Sequence, residues 1–165
     1  GLGDVYKRQV HPTQVTLVPD APDQLTSNHG WDVAANEAFL RDTIARFQAD
    51  GIRVSVFVDP DPEQVLNARR VGADRVELYT KSYADNYCAD REKAIAPFVE
   101  AAEAAREAGL GLNAGHDLSL ENLAYFHERI PWTDEVSIGH AIICDALYTG
   151  IEKAIALYQE CLEDN

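Results

Sequence analysis

The sequence predicts an α/β fold built on a parallel sheet. Three observations carry that expectation: five short runs rich in Val and Ile, segments of helical period between them, and two runs, GLNAGHDL (111–118) and EVSIGHAII (135–143), in which Gly-His follows a short apolar stretch. Parallel strands need crossover connections, and intervening helices supply them. A parallel sheet also gathers its chemistry at the carboxyl edge of its strands. Two strand ends that deliver imidazoles and approachable backbone amides therefore point to a site at that edge.

The strands are read at 14–19 (QVTLVP), 52–59 (IRVSVFVD), 75–80 (RVELYT), 111–115 (GLNAG) and 135–140 (EVSIGH). Their shortness, β-branched content and flanking turn residues favour strands buried on both faces. After the first strand, Asp32 is expected to cap a helix whose apolar stripe is Leu40, Ile44 and Phe47, with Gly51 as its stop. Asp61 followed by Pro62 opens the next helix and Gly72 closes it. An alanine- and glutamate-rich stretch from about Asp90 to Ala108 is a third, ended by Gly109. Ser119 is expected to begin a shorter helix through Leu123 and Phe126. The last helix, from about Gly150 to Leu162, is amphipathic through Ile151, Ala154, Ile155 and Tyr158.

Five strands suit either an open doubly wound sheet or the later part of an eight-stranded barrel. No GxGxxG follows the first strand and no Walker loop occurs, so the nucleotide-binding open sheets have no support. Residues with functional character at several successive strand ends fit a barrel mouth better, although 165 residues fall short of the roughly 250 of a complete barrel.

Composition narrows the function classes. With 46% hydrophobic and 25% charged residues the chain is globular and large enough for one sizeable core. No apolar run approaches the ~20 residues of a membrane helix, and a cytoplasmic location is the default expectation. Cys88, Cys144 and Cys161 are odd in number and widely spaced, which reads as ordinary thiols rather than a disulfide framework or zinc knuckle. A formal net charge of −14 argues against nucleic acid or an anionic membrane as partner. A phosphorylated ligand would have to be held by local devices, such as glycine amides and helix N-termini.

His116 is the strongest single candidate: it follows Ala114 and Gly115, which hide little of its ring, and an imidazole suits acid–base work near neutrality. It serves either that role or a hydrogen bond to a loop carbonyl. Gly139-His140 either lets a phosphate approach the backbone or fits a tight turn. Glu77 points opposite to Val76 and Leu78, toward either a barrel interior or surrounding helices, and is either functional or paired with Arg53 or Arg75. Thr26 and Ser27 either donate hydroxyls to a ligand or form a turn. His11, His29 and His127 have no metal-ligand spacing and read as surface residues. Tyr79, Tyr83 and Tyr87 read as core or lid.

Taken together, QVTLVPDAPDQLTSNHGWDV, GIRVSVFVDPDPEQV, GADRVELYTKSYAD, GLNAGHDLSLENL and SIGHAIICDALYTGIEKAI resemble, in order, the later part of the pyridoxine 5′-phosphate synthase family. The pairing of NAGHDL with SIGHAII is the specific part. The resemblance implies a (β/α)8 TIM barrel, here a partial barrel of about five strands (strands 4–8), and a homo-octamer. It implies condensation of 1-deoxy-D-xylulose 5-phosphate with 3-amino-2-oxopropyl phosphate to pyridoxine 5′-phosphate, phosphate and water, with no metal or organic cofactor. By matching position it makes His116 a proton donor and Glu77 a stabiliser of a transition state. Thr26, Asp117, Gly139 and His140 fall on ligand-contacting positions. Asp117 stands where the family also has Gly; its N–H can still face a ligand, but its carboxylate has to turn away from phosphate.

Residues 1–9 (GLGDVYKRQ) resemble none of the family and read as a foreign leader, with residues 10–165 as the partial barrel. Three strands, a second catalytic histidine and a catalytic glutamate of the family have no counterpart here. The chain alone is accordingly expected to lack synthase activity and to aggregate or need a complementing piece. Another phosphate-binding barrel enzyme and a non-catalytic fragment are the competing expectations.

Overall fold

A computed structural model describes residues 10–20 and 25–163, so the expectation for residues 1–9 lies outside the described residues. Five strands, β1 (Gln14–Leu17), β2 (Arg53–Val58), β3 (Arg75–Tyr79), β4 (Gly111–Gly115) and β5 (Glu135–Ser137), form one sheet in the order β1-β2-β3-β4-β5. Every neighbouring pair is parallel. A doubly wound sheet reverses its strand order and carries helices on both faces; unbroken sequential order with crossovers of one hand puts all helices on one face.

The strands' two faces differ accordingly. Val15, Val54, Val56, Val58, Val76, Leu78, Leu112 and Ala114 are buried in the core with the helices. The alternate positions are mostly polar: Gln14, Thr16, Arg53, Ser55, Arg75, Glu77, Asn113, Glu135 and Ser137 share the inner face with Phe57 and Tyr79 near its carboxyl edge. This face is concave. The edge strands β1 and β5 lie four strand spacings apart, ~19 Å in a flat sheet, yet Gln14 Nε2 donates to Glu135 Oε2 at 3.1 Å. The sheet is therefore an arc of barrel wall.

Charged side chains fill the amino end of that arc. Glu135 accepts from Arg53 at 2.8 Å and from Arg75 at 3.2 Å, while Arg53 Nε donates to Gln14 at 2.7 Å and Arg75 Nη1 to Asn113 at 2.8 Å. All five strands contribute to this floor. Just ahead of β3 and β5, the Asp74 and Asp134 carboxylates accept the N–H of Val54 and Leu112, each at 2.8 Å, tying the start of one strand to the next.

Helix ends follow the sequence in part. Asp61 accepts from Glu63 N at the start of α2 (Pro62–Arg70), and Asp90 from Lys93 N at the start of α4 (Arg91–Glu107). Asp32 does not cap α1 (Glu37–Ala49): its carboxylate accepts from Ala35 N at 3.0 Å and closes a turn, and the helix begins after Asn36. Ser119 and Asn122 likewise bond each other's neighbourhood into a turn, so that α5 is only Leu123–Arg129. A short α3 (Lys81–Tyr87) precedes α4; it has no apolar stripe to announce it.

The terminal segment is two helices, α6 (His140–Thr149) and α7 (Ile151–Glu160), separated at Gly150, whose φ of +86° is the conformation a glycine accepts without Cβ strain. No residue of α6 is buried, and Ile143, Leu147, Tyr148, Ile151 and Ile155 are exposed along the pair.

Tyr83 anchors the outer layer. It is fully buried with Phe98 and Phe126, ring centroids 5.8 and 5.5 Å away, and its hydroxyl donates to the Asn122 carbonyl at 2.7 Å. Tyr83→Phe keeps the packing and leaves that carbonyl with the Phe126 N–H at 3.1 Å as its remaining partner, so a loss of about 1 kcal/mol is expected in chemical unfolding. An unchanged midpoint would mean the bond contributes nothing net.

Candidate active site

At the carboxyl edge of the strands the inner face opens into a cavity of about 1000 Å³. Thr26, Glu77, His116, Asp117, Gly139 and His140 all line it, joined by Thr16, Ser27, Phe57 and Ser137. Residues as far apart in the chain as Thr16 and His140 thus meet because the strand ends meet.

His116 occupies an unusual backbone position. Its φ is +94°, which costs a non-glycine residue about 1–3 kcal/mol and persists only where neighbours enforce it. Here they do. Its N–H donates to the Ser137 carbonyl on β5 at 3.1 Å, and the carbonyl of Gly115 before it accepts from both Thr80 N (3.1 Å) and Thr80 Oγ1 (2.7 Å). The N–H of Asp117 after it donates to the same Thr80 hydroxyl at 3.0 Å. The ring is equally constrained: Nδ1 lies 2.8 Å from Asp117 Oδ2, Nε2 lies 2.7 Å from Thr26 Oγ1, and the Tyr79 ring meets it edge-on at 5.4 Å. Its ring partners are thus a carboxylate and a hydroxyl, not a loop carbonyl.

Glu77 lies below it on β3, buried, with Oε2 accepting from Thr16 Oγ1 at 3.0 Å. Burial pushes its carboxyl above the usual 4.5, and hydrogen bonds from the hydroxyls of Thr16 and Ser137 offset part of that. Neither Arg53 nor Arg75 pairs with it, because both guanidinium groups are engaged by the floor carboxylates of β5 and its approach. Gly115 makes the room: a Cβ there would stand 2.5 Å from Glu77 Oε1.

The raised pKa has a sign. Between 4.5 and the higher folded value the native state holds a proton the unfolded chain has released, so this group costs stability as pH rises through that window. Glu77→Gln is expected to unfold at a higher temperature than the unsubstituted chain at neutral pH, the difference closing toward pH 4.5. Parallel melting curves across that range check it; a pH-independent offset would contradict it.

Gly139 precedes α6, and a Cβ built on it would meet nothing within 4 Å. Packing therefore does not demand glycine at this position. The first amides of α6 have no intrahelical acceptors and lie at the positive end of the helix dipole, beside the cavity.

A model of the family described as pyridoxal phosphate biosynthesis protein PdxJ matches residues 5–164. The chain belongs to this family. Among curated relatives, the pyridoxine 5′-phosphate synthases of Parabacteroides distasonis and Bacteroides thetaiotaomicron are 59% and 61% identical over 154 residues, 93% of this chain. The chain spans 65% of the length of each. A solved structure of HMG-CoA lyase from Brucella melitensis superimposes with a TM-score of 0.57 at 17% identity, covering 98% of this chain and 60% of that one, a likeness of fold alone.

Within this PdxJ-family chain the structure alters three readings of the sequence. Asp117 lines the cavity, but its N–H, read as able to face a ligand, is spent on Thr80. His127 is half-buried rather than at the surface, because its face of α5 turns toward Glu160 and Cys161 at the end of α7. The tyrosines divide: Tyr83 is core, while Tyr79 faces the cavity side and its hydroxyl donates to the Ser27 carbonyl at 3.3 Å. The sequence reading does not single out Thr16 and Ser137. Thr16 and Ser137 hold the inner-face phase of their strands, a signal that was available once Glu77 had been placed.

Proposed function

We propose that this chain is strands 4–8 of a (β/α)8 barrel which, completed by three further β/α units, is a pyridoxine 5′-phosphate synthase. The observation that carries the reading is His116, suspended between Asp117 and Thr26 above a buried Glu77 in a cavity at the carboxyl edge of the sheet. Ring closure from 1-deoxy-D-xylulose 5-phosphate and 3-amino-2-oxopropyl phosphate requires repeated proton transfers around a carbonyl framework. His116 is the proton donor, and Glu77, its carboxyl pushed up by burial, faces the developing charge from below. The α6 N-terminus and the open space at Gly139 receive a phosphate that the overall negative charge would otherwise repel. Thr26 and His140 flank it.

Three features support placing these as the last five strands. Barrels commonly bind phosphate in the loops after their last two strands, at the N-terminus of a short extra helix, and α6 is an extra helix between β5 and α7. Within the sheet, β1 and β5 each have one neighbour, which leaves an edge for further strands. The exposed apolar ridge of Ile143, Leu147, Tyr148, Ile151 and Ile155 lies on the helices that follow β5, where the helices of a closed barrel would cover it. The partial barrel, the homo-octameric assembly and the cytoplasmic setting belong to the same reading; no described helix is long and apolar enough to cross a membrane.

The test is product formation from the two phosphorylated substrates by the chain alone and by the chain completed with the upstream third of a curated relative. Activity only in the completed protein is expected. Failure of a folded, completed protein to form pyridoxine 5′-phosphate, while it still binds one substrate, would favour a different phosphate-binding barrel enzyme.

A further inference from the structure

We infer that Asp117 is a positioning residue that fixes which nitrogen of His116 exchanges a proton with the cavity, an inference that rests on the reading of His116 as the proton donor. An ionised carboxylate can only accept hydrogen bonds, so at 2.8 Å from Asp117 Oδ2 the Nδ1 of His116 carries the hydrogen. The exchangeable position is then Nε2, the nitrogen that faces Thr26 at 2.7 Å on the cavity wall. Imidazole protonated on Nε2 donates there; after donating, it keeps Nδ1–H and is ready to be recharged at the same atom. Without the carboxylate either nitrogen could hold the single hydrogen, and part of the population would present the wrong one.

The carboxylate is itself held. The Asp117 N–H donates to Thr80 Oγ1, and Thr80, fully buried at the end of β3, is locked by donation to the Gly115 carbonyl. One buried hydroxyl thus fixes the residues on both sides of His116. The same arrangement answers the electrostatic difficulty of a carboxylate beside a phosphate site. Its charge is directed onto the imidazole, 2.8 Å from Nδ1.

The test reads the tautomer directly. The chain is labelled with ¹⁵N in its histidine rings, with the complementing upstream polypeptide present, and its ring nitrogen shifts are recorded at about pH 8, where an imidazole of ordinary pKa is neutral. His116 signals are identified by their loss in His116→Gln. The Nδ1–H form is expected to dominate in the unsubstituted chain, to give way to a mixture in Asp117→Asn, and to persist in Thr26→Val, which removes the Nε2 partner and leaves Asp117 in place. Amide spectra check that each variant is folded. A dominant Nε2–H form at the outset, no change in Asp117→Asn, or a change in Thr26→Val instead would overturn the inference. Because no turnover is measured, the tautomer result stands whether or not the completed protein makes pyridoxine 5′-phosphate, and a failed synthase assay leaves the positioning result intact.

Discussion

Replacing His116 with alanine in the completed protein is expected to lower turnover by about 10²-fold or more, the contribution of a positioned general acid. Substrate affinity should change far less, because the elements proposed to hold phosphate are β5 and α6 rather than the β4 loop. The structure adds a complication that can be separated out. Without the imidazole, the Asp117 carboxylate loses the partner at 2.8 Å and is left facing the cavity, where it repels a phosphorylated substrate. A rise in KM that disappears in the double variant His116→Ala, Asp117→Ala would report that exposed charge. The loss in kcat should remain in both. Unchanged kcat in the single variant would return His116 to a structural role.

Much of this arrangement was legible in the sequence, and the limits have physical causes. Five strands were readable because Val- and Ile-rich runs such as 53–58 and 75–79 lie between turn residues, and their bounds differ from the observed ones by at most three residues. The run at 135–143 reads as a strand through His140, whereas β5 stops at Ser137 and α6 begins at His140. An apolar helix with no polar face has no period to separate it from the strand before it. Asp32 and Ser119 have the chemistry of caps and form turns instead, since local hydrogen bonding satisfies both outcomes equally.

Tertiary pairings were beyond reach. The period-two phase of Glu77 was plain, but its direction follows only once the opposite face, Val76 and Leu78, is known to pack under helices. Thr26 meets His116 across 90 residues, and Gln14 meets Glu135 across 121. The curvature of the sheet brings both pairs together, and no local pattern encodes it. Resemblance supplied the roles of these residues without their geometry: it marked Asp117 as a departure, and the structure shows where its carboxylate goes.

Gly115→Ala is expected to damage fold and site together. The added Cβ would stand 2.5 Å from Glu77 Oε1, 2.9 Å from Ser137 Cβ and 3.1 Å from the Ser137 carbonyl oxygen. None of these neighbours yields freely. Glu77 is buried and tethered through its other oxygen to Thr16 at 3.0 Å. Ser137 is paired to this same residue in the β4–β5 register, and its carbonyl accepts the His116 N–H. Backing Gly115 away is also blocked, because its carbonyl takes two hydrogen bonds from Thr80. The overpacking should cost about 1–3 kcal/mol in chemical unfolding, and relief by moving Ser137 would loosen the backbone that holds His116 at φ +94°. In the completed protein kcat should therefore fall along with stability. Shortening Glu77 distinguishes the two routes. If the clash with its carboxylate dominates, Gly115→Ala combined with Glu77→Ala should recover most of the lost stability without recovering activity, and if the β5 backbone is what gives way, the double variant should stay as unstable as Gly115→Ala alone.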